Sequence, residues 1–522
     1  MRAGTAAAGL ALALLASIAA AGCTQGSQQP ASAGTRSGGP GGGTAVVGGS
    51  ARVQWHACRG GTARLRCGTL KVPLNYARPS GRSLTLALSE VPATAPPGQR
   101  LGILLVNPGG PGASGLVWAS YLAHSLSPAV AARYDIVGFD TRGVGSSVPA
   151  LNCEPGFFAH ERPDYIPANA AAERVLISRA RTYAADCGRR YGSLLPYMTS
   201  ANMARDMDRI RAGLGQRKLS FLGYSYGTYL GQVYATLFPH RVRRMVLDST
   251  VDPTGAWWAD NIGQDDPFQA RMNAFYAWLA RYNRVYHLGA TAAQARGAWY
   301  AAQAKLAAHP IANSSGPSIG PAEYDDTFAE GAYDDSYWPQ LGAALAAYLN
   351  SGSTRPMVTA FDELGKTSEN LFSVYNAVEC GDVAWPRKWA YWDSVTRRVY
   401  RSAPFAAWLN TWFNAACAFW PVHGPARPMR IGAPGLPGIL MLQGTLDAAT
   451  PYAGAQNAHK LLPTAKMVVV PGSGIHGQSL HLPPNKCVNG YLNRYLATGA
   501  LPSRPGLVNA TCPALPDPTP NG

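Results

Sequence analysis

Three side chains occupy positions from which acyl-transfer chemistry could be run: Ser225 in Gly223-Tyr224-Ser225-Tyr226-Gly227, Asp447 in GILMLQGTLDAATP and His476 in AKMVVVPGSGIHG. A serine hydroxyl is a poor nucleophile at neutral pH. It needs a base to take its proton and a carboxylate to hold that base in the right tautomer. Ser, then Asp, then His is the order in which an α/β sheet supplies such a set from the ends of its strands. The oxyanion formed in the reaction needs preorganised N–H donors. The amide of Tyr226, directly after the serine, is one expected donor, and that of Gly110 in the turn Gly109-Gly110-Pro111-Gly112 is the other.

The G-x-S-x-G pattern is weak by itself, because a chain with 57 glycines can produce it by accident. A second copy does occur, at Gly316-Pro317-Ser318-Ile319-Gly320, in a polar segment with no apolar strand before it and no amphipathic helix after it. Ser225 has both. Lys218 to Tyr224 reads as a short apolar strand, and Leu230, Val233, Tyr234 and Leu237 recur on one face of the helix that follows. Among other bases, His481 is the nearest rival to His476, while His459 and His423 fall outside the loop after the last strand. Asp140 and Arg142 also stand at a strand end and are expected to brace loops.

The elements that must position these residues alternate strand and helix, which predicts a mostly parallel α/β sheet. Leu70–Pro73 and Leu84–Val91 alternate like two antiparallel edge strands. Leu101–Val106, Tyr134–Phe139, the strand before Ser225, Val242–Asp248, Gly438–Leu442 and Lys466–Val470 are continuous apolar runs, as expected of strands buried on both faces. From 254 to 429 the alternation stops. Helical spacing in Phe275–Tyr286, Ala292–Ala307, Trp338–Leu349 and Pro404–Phe419 predicts an inserted helical cap, in which Trp338 and Tyr337 are assigned to the core. The resulting division is a leader (1–22), a Gly/Ser/Pro-rich tether (23–52), a first core part (53–253), the cap (254–429) and a second core part (430–522).

A hydrophobic content of 47% can fill a large core. The net charge of +16 comes from arginines spread along the chain rather than a basic run, which argues against nucleic-acid binding. Arg2 and the apolar stretch Ala6–Ala21 form an export leader, and Ala20-Ala21-Gly22-Cys23 resembles a lipobox, with Ala in the usual Leu position. Cys23 is thus the expected lipidation site of a lipoprotein at the outer face of the cell membrane, with plain secretion as the alternative. Setting it aside from nine cysteines leaves an even set, expected to form disulfides between neighbours: Cys58 with Cys67, Cys153 with Cys187, Cys380 with Cys417 and Cys487 with Cys512. No cysteine and histidine spacing suggests a metal site.

Taken together, NPGGPGASG, YDIVGFDTRGVGSS, GYSYG, LQGTLDAATPY, GIHG and the closing stretch around Cys487 and Cys512 resemble the tripeptidyl aminopeptidase family of exported bacterial α/β-hydrolases, related to proline iminopeptidases. The resemblance spans about Trp55 to Cys512. It implies the α/β-hydrolase fold with helices on both faces of the sheet, a Ser225-Asp447-His476 triad without cofactor, and release of short peptides from free N-termini. Pro108 stands where the iminopeptidases have His. An exopeptidase of this kind needs an acidic group to pair the substrate ammonium. Glu379 and Asp382 are the candidates, with Asp334 and Asp335 behind them, against the plainer reading that these acids cap helices or pair with arginine. A carboxylesterase or lipase-type hydrolase, an endopeptidase and an inactive envelope-binding protein are the alternatives.

Overall fold

The computed structural model describes residues 52–58 and 64–520. The leader, Cys23 and nearly all of the tether lie outside the described residues. Ten strands form one sheet: β1 (Gln54–Ala57), β2 (Arg66–Pro73), β3 (Ser83–Val91), β4 (Ile103–Asn107), β5 (Asp135–Phe139), β6 (Leu219–Tyr224), β7 (Val242–Asp248), β8 (Ile439–Gly444), β9 (Ala465–Val470) and β10 (Ala510–Thr511). Their order is β1-β2-β3-β5-β4-β6-β7-β8-β9-β10. The β1, β2 and β3 pairings are antiparallel, including β3 with β5, and every pairing from β5 to β10 is parallel.

The apolar strands are buried on both faces. In β4, β6, β7 and β8, Leu105, Phe221, Met245 and Met441 belong to one core cluster, whereas their neighbours Leu104, Leu222, Val246 and Leu440 belong to another. Helices Ser200–Gly213, Tyr226–Leu237 and Tyr452–Leu461 cover the first face; Trp118–Ser125 and Lys486–Thr498 cover the second. The chain leaves β4 for β5 on one side and then returns to β6 on the other, so Asn107 pairs beside Gly223. This reversal opens a crevice at the carboxyl ends of β4 and β6, the position where ligands bind in open α/β sheets.

Between β7 and β8 the chain is helical, apart from an isolated bridge of Ile311 with Ile319. Helices Asp265–Arg281, Ala292–Ala308, Pro321–Tyr333 and Trp338–Asn350 enclose a core of their own around Phe275, Trp278, Trp299, Phe328 and Trp338. Helix Glu369–Asp382 instead gives Phe372, Val374 and Val378 to the core on the sheet. The segment around helix Ala170–Tyr191 packs onto this insertion: Trp412 Nε1 donates to the Tyr165 carbonyl and Trp389 Nε1 to Glu173. The four neighbour disulfides are present, 58–67, 153–187, 380–417 and 487–512. No helix among the described residues is long and apolar enough to cross a membrane.

Candidate active site

Ser225 follows β6 and caps the start of helix Tyr226–Leu237 at φ 56° and ψ −128°. A positive φ is strained for a residue with a Cβ, at a cost on the order of 1–3 kcal/mol, and it turns the side chain out of the strand-helix corner. The flanking glycines have a different task from supplying the turn. A Cβ at Gly223 would lie 2.3 Å from the Gly227 carbonyl oxygen, and one at Gly227 would lie 2.6 Å from that of Asn107. They let strand, helix and the loop after β4 close on one another. Ser318, in the second G-x-S-x-G, lies in a loop.

Asp447 follows β8 and is fully buried. Its carboxylate accepts from the amides of Ala449 and Thr450, each at 3.0 Å, and from the Thr450 hydroxyl at 2.9 Å. Both of its oxygens lie 3.0 Å from His476 Nδ1. A carboxylate only accepts, so Nδ1 carries the proton and Nε2 keeps its lone pair. Burial works to lower the His476 pKa, but the Asp447 carboxylate outweighs it and holds the imidazole above its ordinary value.

The loop carrying His476 is held by a residue that sequence reading passed over. Asp248, the last residue of β7, accepts from the amides of Gln478 and Ser479, both at 2.8 Å, and Ser249 Oγ accepts from Gly477 N at 2.8 Å. Burial raises Asp248 to about 6. The glycine loop after β4 is shaped by Asn107, whose Oδ1 accepts from Gly109 N at 3.0 Å. Asp140 and Arg142 brace their surroundings as expected. Asp140 accepts from Ser114, Gly115 and Ser146, and Arg142 forks onto Asp206 through Nε and Nη2, both at 2.7 Å.

Ser225, His476, Gly110, Tyr226 and Pro108 line one cavity of about 320 Å³ between the strand ends and the insertion. Tyr226 is the first residue of its helix, where amides have no carbonyl one turn earlier to bond. The arrangement brings a serine hydroxyl, an imidazole held by a carboxylate and a helix N-terminus to one cavity, groups of the kinds that acyl transfer requires.

Residues 102–481 match the family model described as alpha/beta hydrolase fold. A tripeptidyl aminopeptidase of Streptomyces lividans is 38% identical over 485 residues, covering 90% of this chain and 88% of that protein. The chain belongs to the tripeptidyl aminopeptidase family of α/β-hydrolases. Serine protease Hip1 of Mycobacterium tuberculosis is 32% identical over 88% of this chain and 92% of its own length. Carboxylesterase B of the same organism is 33% identical over 86% and 88%. The protein is therefore an enzyme of the serine-hydrolase class.

Within this family member the four acids singled out by sequence part ways. Glu379 lines the cavity and accepts from Asn261 Nδ2 at 2.9 Å; burial raises its pKa well above the carboxylate range. Asp382 is turned to the start of helix Ser200–Gly213, accepting from Ser200 N at 2.8 Å and its hydroxyl at 2.5 Å, and it is not part of the lining. Asp334 is bonded to His481 and Asp335 to Arg271. His481, the rival base, is thereby occupied away from Asp447. Trp338 is buried in the insertion's core, and Tyr337, half-buried, packs against that core as expected and also lines the cavity. It is the last residue of the short 3-10 turn Asp335–Tyr337 between two cap helices, where helical spacing gives no information about the direction of its ring.

Two further carboxylates on the cavity wall, Asp260 and Glu330, were not legible as site residues. Among the described residues neither accepts a side-chain hydrogen bond or joins an ion pair. Burial, then the neighbouring Asp252, pushes Asp260 up to about 8; burial, then Asp326 and Asp334, pushes Glu330 up to about 7. Asp326 is on the same wall but is paired with Arg162 at 2.7 Å.

Proposed function

We propose that the protein is a serine aminopeptidase that releases short peptides, tripeptides foremost, from free N-termini. Ser225 attacks the scissile carbonyl while His476 Nε2 takes its proton. Asp447 stabilises the imidazolium, and the amides of Tyr226 and Gly110 hold the oxyanion. His476 then returns the proton to the leaving amine, and water repeats the cycle on the acyl-enzyme. The mechanism asks for no cofactor. In this reading the chain is exported by its leader and either anchored through a lipid on Cys23 or secreted.

The observation that carries an amine-recognising reading is the acidic cap wall. Asp260 and Glu330 face the cavity without a hydrogen-bonding partner among the described residues, and a half-buried carboxylate of this kind favours a cationic partner. The name of the Streptomyces relative supports the same choice. Glu379 is the next acid on that wall. Asp382, spent on Ser200, is the weaker candidate. A carboxylesterase is the second reading, because a relative bears that name and the same catalytic set serves both reactions.

The test compares a free-amine tripeptide anilide, its N-acetylated form and a simple ester. Ser225→Ala should remove all three activities from a protein that still folds. Asp260→Asn and Glu330→Gln should raise KM for the free amine alone. Equal turnover of the free and acetylated peptides would count against the aminopeptidase, and turnover of the ester alone would favour the esterase.

A further inference from the structure

The His476 loop touches the cap at three places in eight residues. Ahead of His476, the backbone of Gly474 presses on the cap residue Arg271, where an added Cβ would lie 2.1 Å from Cζ. At His476 itself, the amide donates to the Tyr333 carbonyl at 2.8 Å, and the Tyr333 ring meets the imidazole edge-on at 5.5 Å. Beyond it, His481 Nε2 lies 2.8 Å from Asp334 Oδ2, with both side chains at most 2% exposed. Tyr333 and Asp334 are consecutive, the last residue and the C-cap of helix Pro321–Tyr333. One end of one cap helix therefore grips the base directly and grips its loop five residues later.

The hydrogen bonds of His481 fix its proton count. Nδ1 lies 3.2 Å from the carbonyl oxygen of Pro483, which can only accept, so Nδ1 carries a hydrogen. Neutral imidazole would then turn a bare Nε2 lone pair on the Asp334 carboxylate. The 2.8 Å contact needs a second proton, on Nε2 or on the carboxylate. The neighbouring charges are matched as well: Asp335 pairs with Arg271 at 3.0 Å, and Arg271 lies over the Trp338 ring at 5.0 Å. Asp334, Asp335, Arg271 and His481 thus form a set of two acids and two bases, with Glu330 near enough to interact with both Asp334 and His476, and His481 is the member that belongs to the His476 loop.

We propose that Asp334 and His481 form a proton-bearing latch that holds the His476 loop to the cap, making both of them positioning residues for the base. From the sheet side Asp248 and Ser249 hold residues 477–479 of the same loop. The latch supplies the hold from the other side and ties the placement of His476 to the placement of the cap. The inference rests on His476 being the base.

The test uses the full-length enzyme and a small fluorophosphonate, whose reaction with Ser225 depends on the base and not on the amine-binding acids Asp260 and Glu330. In Asp334→Asn, labelling per folded molecule should slow about tenfold or more, since small displacements of reacting groups carry costs of that size. The His476 amide should lose protection from hydrogen exchange. His481→Gln keeps a donor toward Asp334 and should recover part of both. Labelling within about twofold of the parent, with His476 protection unchanged, would overturn the latch. Should Asp334→Asn not fold, the parent enzyme answers: the His476 amide should become exposed as pH rises through the deprotonation of His481, and pH-independent protection would overturn the proposal. A His476→Ala arm separates the two readings. Unchanged labelling there removes the base and the latch with it, whereas slow labelling there beside fast labelling in Asp334→Asn removes the latch alone.

Discussion

The backbone carbonyl of Asp248 accepts the amide hydrogen of Ser225 at 3.1 Å, and the carboxylate of the same residue accepts the two amides that follow Gly477 in the His476 loop. One residue at the end of β7 thus positions Ser225, the proposed nucleophile, by its main chain and the loop of His476, the proposed base, by its side chain. Asp248→Asn keeps the size but turns one acceptor into a donor facing N–H groups. The expected loss is on the order of 10²-fold in kcat, the scale for a misplaced catalytic group, with a smaller change in KM. Steady-state kinetics on the anilide and the ester check this, and a loss confined to KM would contradict the role.

With His476 as the proposed base, its imidazole should set an acid limb in the rate. Its pKa is raised, and it must be neutral to accept the Ser225 proton. The kcat/KM for a simple uncharged ester should therefore rise with pH through a value above the ordinary His value of about 6.5. Asp447→Asn should lower that value as well as the rate. The stability linkage has the matching sign. The charged pair stabilises the fold below about 6.5, and that contribution is lost as pH rises through the raised pKa.

Binding of the substrate ammonium should have its own pH dependence. Asp260 and Glu330, pushed up to about 8 and about 7 by burial and neighbouring acids, must be ionised to pair with a cation. The KM for a free-amine tripeptide should fall between pH 6 and 8, by up to about tenfold per unit below each pKa, with proton release on binding. The KM of the acetylated peptide should stay flat. Calorimetry in buffers of different ionisation enthalpy counts the protons, and zero release would remove these two residues as the anchor.

Arg142 offers a test of stability apart from chemistry. All five of its N–H groups are used, on Asp206 and on the carbonyls of Pro73, Leu74 and Tyr197, in a fully buried setting. Arg142→Met leaves Asp206 buried without its cation and should cost about 3–5 kcal/mol. Denaturant unfolding measures the loss, which should be only partly recovered in Arg142→Met with Asp206→Leu, because the carbonyls of Pro73, Leu74 and Tyr197 still lack their donor.

The chain by itself determined whatever is written in local pattern. Ser225, Asp447 and His476 each stand directly after a short apolar run, and such a run buried on both faces becomes a parallel strand whose end faces the crevice. Neighbour pairing of the cysteines was legible for the same reason, since each bond closes a local loop. The tertiary structure alone decided what each acid meets. Helical periodicity shows that a face is buried but not against what. Glu379 and Asp382 lie three residues apart on one helix, yet one lines the cavity and the other is spent on Ser200. Asp260 and Glu330 become cavity residues, Asp248 a loop anchor and His481 the partner of Asp334 through contacts between segments far apart in sequence. Those contacts depend on how the insertion seats on the sheet, and that seating follows from the packing of whole helices rather than from any residue's neighbours in sequence.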